Sequence, residues 1–226
     1  MELRLSEELL LLAQDDEKGT IVSGASIAID YGLAGAVLLE LAEDQKIDLD
    51  GTKLELKDSK LTGDFTYDFV IQQISKSSKP RTTEHWVSEL AHKTKEIKEK
   101  LLEKLTNKGI LEKVEGKVLW IFSTKKYPTR YEKPEFVIRK RIHDIVIGGK
   151  EPGTRDSMLL GLIQAGGLVK EVFPKKEEYK VAKGRIKELV EGDIMNKAVN
   201  QSVQAIQAAI AATMIASAVT ATIVTS

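Results

Sequence analysis

The sequence contains no cysteine, so disulfide bonds, zinc–thiolate sites and cysteine nucleophiles are all excluded. A chain without cysteine is consistent with the reducing conditions of the cytoplasm. The apolar run Leu9 to Leu12 follows two glutamates and is not preceded by a basic segment, which is unlike a secretory signal peptide. These absences predict a cytoplasmic protein.

The chain also lacks any long stretch rich in proline, glycine and serine that could serve as a linker. Its hydrophobic content is 42%, and a chain of this length can bury roughly 70% of its unfolded surface in one core. We therefore expect residues 1–226 to form a single globular domain.

Most of the apolar residues recur with the period of an α-helix, which predicts a mainly α fold. The remaining signals predict two short β-hairpins, one over residues 46–56 around Asp50-Gly51 and one over 110–122 turning near Glu115-Gly116. Residues 75–83 are expected to form a loop. The predicted helices cover residues 5–12, 26–43, 66–75, 95–108, 136–147, 157–168 and 175–190, and a helical pattern also runs through Trp86, Leu90 and Ile97.

The C-terminal segment has no charged residue after Lys197. It is long enough for a membrane span, which needs about 20 mostly apolar residues. However, alanine dominates, several glutamines and threonines interrupt it, and no aromatic or basic residues mark its far end. The composition favours a buried core helix over a membrane span.

Net charge is zero but unevenly distributed along the chain. Residues 1–68 hold 16 acidic and 6 basic side chains, and residues 93–141 hold 15 lysines and arginines against 7 glutamates. If the basic stretch folds onto one face, its field would attract phosphates. The alternative is an ordinary solvated surface with locally uneven charge.

No residue pattern supports catalysis. His85 and His92 are about two helical turns apart, but no further ligands stand at the spacing of a metal site. The segment from Gly148 to Thr154 lacks the residue order of a phosphate-binding loop, and it follows a helix instead of a strand. We expect a protein that is not an enzyme and that uses no metal or cofactor.

Several motifs in a preserved order resemble the Golgi phosphoprotein 3 family. The helix from Gly32 to Ala42 is similar to the family's Gly-Leu-Arg-Gly-x-x-Leu-x-Glu-Leu-Ala segment. The stretch from Lys95 to Leu111 is similar to its Arg-x-x-Arg-Glu-Arg-Leu helix and the entry to the hairpin. Further matches are the Leu-Ser-Glu-Glu-Leu run from Leu5, Thr62-Gly63-Asp64, Arg155-Asp156, Leu159-Leu160, Leu162-Ile163, Ala165, Leu168 and Phe173.

This resemblance implies one mainly helical domain and a shallow basic pocket for the headgroup of phosphatidylinositol 4-phosphate. Lys95 and Lys98 stand at the two helical basic positions of that pocket, and their i,i+3 spacing places them on one helix face. Ala34 stands where the family has an arginine, and Ala25 stands near its tryptophan position. The basic run Arg139-Lys140-Arg141 is expected to add attraction for anionic lipid.

The second hairpin carries the apolar residues Val118, Leu119, Trp120, Ile121 and Phe122. The resemblance implies that this hairpin projects, mediates homo-oligomer contacts and touches the bilayer. The alternative is a strand buried on both faces. The leading hypothesis is thus a peripheral membrane adaptor in protein retention or vesicle trafficking, whose partners are a phosphoinositide surface and the cytosolic tails of membrane proteins.

Two other functions stay open on the sequence alone. A helix followed by a hairpin occurs twice, which is the pattern of a winged-helix nucleic-acid-binding protein, although zero net charge argues against nucleic acid as a partner. The alanines at positions 25 and 34 are also compatible with an interaction domain that has lost its lipid pocket. The alternating charges around Lys95 are likewise compatible with a salt-bridged solvent face.

Overall fold

A computed structural model describes residues 2–22, 28–50, 53–118, 122–191 and 197–224 of the chain. The fold in these ranges is mainly α-helical, as the sequence predicts. Its helices are α1 (Leu5–Leu12), α2 (Ala28–Glu43), α3 (Phe65–Ser75), α4 (Thr83–Ala91), α5 (Thr94–Asn107), α6 (Lys133–Val146), α7 (Thr154–Ala165), α8 (Val169–Val172), α9 (Lys176–Glu191) and α10 (Lys197–Val224).

Short antiparallel strands join some of these helices. A three-stranded sheet has the order β3-β4-β5, and two further pairs are β1-β2 and β6-β7. The strands are β1 (Gln14–Asp15), β2 (Thr20–Ile21), β3 (Ile47–Asp50), β4 (Lys53–Leu56), β5 (Arg81–Thr82), β6 (Val114–Val118) and β7 (Phe122–Lys126).

Helix α2 is the centre of the fold and contacts α1, α3, α4, α5, α7 and α10. Every residue from Tyr31 to Leu41 is buried, which is typical of a helix surrounded by others. Its glycines allow the neighbouring helices to approach closely. A Cβ atom on Gly35 would lie 2.6 Å from the Ile206 side chain of α10, and one on Gly32 would lie 3.3 Å from Leu9 of α1.

A buried carboxylate fixes α1 against α2. Glu40 of α2 accepts hydrogen bonds from the backbone N–H of Leu5, from the Ser6 hydroxyl at 3.1 Å and from the Tyr67 hydroxyl at 2.7 Å. The bond from Leu5 satisfies one of the unpaired N–H groups at the start of α1. Burial raises the pKa of Glu40, and these three donors oppose that rise.

The described part of α10 packs as a core helix and contacts α2, α4, α7 and α9. Val203, Ile206, Ala209 and Ile210 are buried, so this part confirms the buried helix predicted from the composition. None of the helices within the described ranges combines the length and the apolar character that a membrane crossing requires.

Both predicted hairpins are present, but their turns are displaced from the predicted positions. In the first, Asp50 pairs with Lys53, so the connection is residues 51–52 and Asp50 itself belongs to β3. In the second, Gly116 pairs with Thr124 and Val118 pairs with Phe122, so the turn predicted near Glu115-Gly116 is wrong. Glu-Gly is not a strong turn dipeptide, and the flanking valines favour an extended strand.

Two helix boundaries and one predicted loop also differ from the sequence prediction. The pattern through Trp86 and Ile97 is divided into α4 and α5 at His92 and Lys93, because the Thr94 hydroxyl bonds to the Ala91 carbonyl at 2.8 Å and turns the chain. The predicted helix 157–168 ends at Ala165, where Gly166 and Gly167 follow, and Gly167 has a φ of +68°. The predicted loop 75–83 contains β5, which pairs with β4.

Candidate anion-binding site

The turn between α4 and α5 forms one side of a surface hollow of about 370 Å³. We refer to it as the α4–α5 hollow. Lys95 and Lys98 both line it, and the start of α2 closes its other side. The complete lining is Asp30, Tyr31, Ala91, His92, Thr94, Lys95 and Lys98. The structure therefore brings together the two lysines that the sequence placed on one helix face.

The two lysines differ in their surroundings. The Nζ atom of Lys98 lies 2.7 Å from Oδ1 of Asp30, and both side chains are about three-quarters buried, with 26% and 30% of their surface exposed. Lys95 is exposed and forms no ion pair among the described residues. Lys98 thus provides a cation positioned by Asp30, and Lys95 provides an exposed cation beside it.

The remaining polar groups belong to the α4–α5 turn. The Nδ1 atom of His92 lies 2.6 Å from the carbonyl oxygen of Ser88, so this nitrogen carries the proton and donates. The Nε2 atom of His92 is left for a ligand. Thr94 begins α5, so the N–H groups of the first turn of a helix of 14 residues also lie beside the hollow. Such N–H groups favour anions.

The basic run on α6 lies in a different environment from the α4–α5 hollow. Arg139 bonds to Glu135 at 2.7 Å and to the Glu171 carbonyl at 3.1 Å. Lys140 is exposed and pairs with Asp144 at 2.7 Å. The side chains of Arg139 and Lys140 therefore stabilise α6 and its contact with α8.

Arg141 is equally engaged within the fold. Its guanidinium lies 2.7 Å from Glu8 and 3.0 Å from Asp156, and it lines a second hollow, beside α1. Burial raises the pKa of Glu8, and Arg141 opposes that rise. The structure thus separates the three basic residues of α6 from Lys95 and Lys98, and uses two of them to join helices.

Four acidic residues of the first part of the chain form ion pairs with basic residues of the later part. Glu7 pairs with Lys108 at 2.7 Å, and Asp64 pairs with Lys104. The pairs Glu8–Arg141 and Asp30–Lys98 likewise join the acidic first part of the chain to the basic later part. Lys98, Lys104, Lys108 and Arg141 of the basic stretch are therefore paired with carboxylates, whereas Lys95 forms no ion pair among the described residues.

Other residues from the sequence prediction have definite places or lie outside the described ranges. Ala34 is fully buried within α2, whereas Ala25 is outside the described residues. In the second hairpin, Val118 and Phe122 pair across β6 and β7, whereas Leu119, Trp120 and Ile121 lie outside the described residues. Sequence reasoning missed Asp30 and Tyr31, because nothing in the sequence connects the start of α2 with residues more than 60 positions later.

A model of the Golgi phosphoprotein 3 (GPP34) family matches residues 5–206, from the first residue of α1 to the middle of α10. The chain belongs to the Golgi phosphoprotein 3 family. The match includes every element around the α4–α5 hollow. Membership supports a Golgi-phosphoprotein-type adaptor, because this is a family of non-enzymatic adaptors that associate peripherally with the Golgi.

The histidines of this Golgi phosphoprotein 3 family member each contact a neighbouring side chain or carbonyl. The His85 ring packs edge-on against Trp86 at 5.4 Å, and the His143 ring stacks on Phe173 at 6.5 Å. Among the described residues, no three histidine or carboxylate side chains are grouped so that they could hold a metal ion.

Proposed function

We propose that this protein is a peripheral membrane adaptor whose α4–α5 hollow binds the phosphorylated headgroup of an anionic phospholipid, with phosphatidylinositol 4-phosphate as the first candidate. The observation that carries the proposal is the meeting of Lys95, Lys98 and the first turn of α5 at one surface hollow. Its volume lies within the range of ~300–1,000 Å³ that is typical of small-molecule sites.

Each polar side chain at the α4–α5 hollow can make a different contact with a headgroup. Lys98 is held by Asp30 in a fixed position, and its remaining N–H donors can bond to a phosphate oxygen. Lys95 is free to turn toward a second oxygen. The N–H groups at the start of α5 add positive potential, and His92 Nε2 can bond to a hydroxyl of the headgroup. A lysine ammonium group acts as a point charge and lacks the two parallel N–H donors that arginine presents to a phosphate. We therefore expect the hollow to attract phosphate groups more strongly than it distinguishes between their arrangements.

A second contact is proposed for the hairpin of β6 and β7. Its sequence from Val118 to Phe122 is wholly apolar, which supports insertion into the interface of the bilayer or pairing with a second copy of the chain. Weak headgroup attraction and a small apolar contact together give reversible membrane binding. We further propose that the membrane-bound protein holds the cytosolic tails of membrane proteins during retention or vesicle transport.

Sedimentation with liposomes tests the proposal. Vesicles of neutral lipid, of phosphatidylserine and of phosphatidylinositol 4-phosphate at matched surface charge are compared at rising salt. We expect recovery with both anionic vesicles, a loss of recovery with salt, and at least about a tenfold weakening in the variant Lys95→Glu/Lys98→Glu. Lys180→Glu/Lys183→Glu is the matched control, since it reverses two exposed lysines at the same spacing on α9. Equal sedimentation of the two variants would refute the proposal.

The ion pair between Asp30 and Lys98 allows a variant with the opposite effect. Asp30→Asn removes the acidic charge from the hollow and releases Lys98, so we expect binding to anionic vesicles to strengthen by roughly fivefold. Asp58→Asn, which removes an exposed carboxylate paired with Lys46 just after β4, is the control for the change in net charge and for the release of a lysine. If Asp30→Asn bound anionic vesicles no differently from Asp58→Asn and the unmodified chain, the hollow would not be the contact.

A further inference from the structure

Strand β4 is covered along only half of its outer edge. Lys53 pairs with Thr82 and Leu54 pairs with Arg81, after which the described pairing with β5 ends. If this register continued, the next residue to pair with β4 would be Pro80, which has no N–H and cannot extend the ladder. Glu55 and Leu56 therefore have β3 on one side and, among the described strands, none on the other.

The open edge presents backbone groups that can form hydrogen bonds. Asp50 and Lys53 flank a two-residue connection, and such a closing pair exchanges both of its hydrogen bonds. The direction of the backbone N–H and C=O groups alternates along a strand. Those of Lys53 and Glu55 therefore face β3, and those of Leu54 and Leu56 face the outer edge. Leu54 meets Arg81 there, whereas no described backbone group bonds to the outer edge of Leu56.

A hollow of about 410 Å³ lies at this edge, and we refer to it as the β4-edge hollow. Leu56, Ile74 and Trp86 form an apolar part of its lining. Its rim is the loop after α3, in which the Ser77 hydroxyl donates to the Lys79 carbonyl at 2.8 Å. The hollow thus combines an unpaired strand edge with an apolar floor.

The rim of the β4-edge hollow is positively charged. Lys79 and Arg81 line it, both are exposed, and neither forms an ion pair among the described residues. The single acidic residue of the lining is Glu55, whose carboxylate lies 3.4 Å from Lys57 Nζ. An anionic ligand would therefore meet two cations without an ion pair among the described residues and one carboxylate, Glu55, which shares Lys57 with Asp48.

We infer that the β4-edge hollow binds an extended acidic peptide segment of a partner protein, which adds to β4 as a further strand. Its backbone would pair with the N–H and C=O of Leu56, its carboxylates would meet Lys79 and Arg81, and an apolar side chain would rest on Trp86. A lipid headgroup could use the two cations, but it would leave the strand edge and the apolar floor unused. Addition of a strand to an open sheet edge is a common mode of peptide recognition.

The test measures fluorescence anisotropy of a fluorescein-labelled heptapeptide of alternating glutamate and valine, titrated with the full chain. We expect saturable binding, which is absent for the corresponding lysine–valine peptide. The variant Lys79→Glu/Arg81→Glu should weaken binding by at least about tenfold, and the control Lys180→Glu/Lys183→Glu should bind as the unmodified chain does. Both pairs are exposed, and a thermal melt by circular dichroism confirms that each variant is folded.

A second pair of variants isolates the strand edge. Leu56→Pro removes the outward N–H, whereas Leu56→Ala removes more of the side chain but keeps that N–H. We expect the proline variant to bind the peptide several-fold more weakly than the alanine variant. In a Trp120→Phe background, Trp86 is the only tryptophan left, so its emission should change when the peptide binds.

Three results would overturn the inference. The first is equal peptide affinity of the unmodified chain and Lys79→Glu/Arg81→Glu, and the second is equal peptide affinity of the two Leu56 variants. The third is that Lys79→Glu/Arg81→Glu loses binding to phosphatidylserine vesicles but keeps its binding to the peptide. The last result would make the hollow a lipid contact. Because Lys95 and Lys98 are not altered here, failure of this inference leaves the proposed headgroup site untouched.

Discussion

At the scale of single residues, the buried carboxylates differ in how completely they are hydrogen-bonded. Glu40 receives three donors, whereas Glu135 of α6 receives one, from Arg139 at 2.7 Å. The other oxygen of Glu135 is buried without a described hydrogen-bond partner. Burial raises the pKa of Glu135 to about 7, the Arg139 guanidinium opposes this rise, and the carboxylate of Asp16 adds to it.

The raised pKa of Glu135 lowers the free energy of unfolding as pH rises. Between the usual glutamate pKa and about 7, the folded state holds a proton that the unfolded state has released, so the free energy of unfolding decreases toward higher pH. Glu135→Gln carries no titrating proton. We expect the unmodified chain to lose on the order of 1 kcal/mol relative to Glu135→Gln between pH 5 and pH 8, measured by urea unfolding.

The control for this measurement is Glu188→Gln, which replaces an exposed carboxylate on α9. Its stability relative to the unmodified chain should stay nearly constant over the same pH range. A pH-independent difference between Glu135→Gln and the unmodified chain would show that burial does not raise the Glu135 pKa in solution.

At the scale of secondary-structure elements, two glycines set how closely α10 can approach the core. A Cβ atom on Gly35 would lie 2.6 Å from Ile206, and one on Gly161 of α7 would lie 2.7 Å from Val203. Both contacts are to branched side chains that are buried and cannot move aside. The docking of α10 on α2 and α7 therefore depends on the absence of side chains at these positions.

Alanine substitution separates this packing effect from helix propensity. Gly35→Ala and Gly161→Ala should each lower the free energy of unfolding by about 1–3 kcal/mol through overpacking. Gly184 lies within α9, and a Cβ atom there would meet nothing within 4 Å. Gly184→Ala should instead stabilise the protein by about 0.5–1 kcal/mol. The three variants are compared by thermal and urea unfolding, and destabilisation by Gly184→Ala would contradict the explanation.

The elements that could be predicted are those whose signal is local. The helix over 5–12 is found with the same boundaries, since a leucine run with two early glutamates carries the whole pattern. The breaks at His92 and Gly166 were not predicted, because a single hydroxyl bond or a glycine with positive φ decides them. The turn near Gly116 was misplaced because glycine is also tolerated inside a strand.

At the scale of the whole molecule, the sequence could predict the two lysines of the α4–α5 hollow but not its other lining residues. Lys95 and Lys98 were recognisable because one helical turn separates them. Asp30 and Tyr31 could not be assigned from the sequence, since only the packing of α2 against α4 and α5 brings them there. The separation of Arg139, Lys140 and Arg141 from this hollow is equally a property of tertiary structure.

The two hollows lie at opposite ends of the same short helix. The α4–α5 hollow includes Ala91 and His92 at the end of α4, and the β4-edge hollow includes Trp86 near its start. If the chain binds both proposed ligands, a lipid headgroup and an acidic peptide are held at the two ends of α4. This arrangement suits an adaptor, because it links a membrane surface to a protein partner without requiring a conformational change.

The most direct test of the headgroup site is a titration of the isotope-labelled protein with a short-chain, soluble phosphatidylinositol 4-phosphate, followed by backbone amide NMR. We expect saturable shifts that concentrate at Asp30, Tyr31 and residues 91–98 and that vanish in Lys95→Glu/Lys98→Glu. Amides that do not shift, or shifts that centre on Arg139, Lys140 and Arg141 instead, would show that the α4–α5 hollow is not the headgroup site.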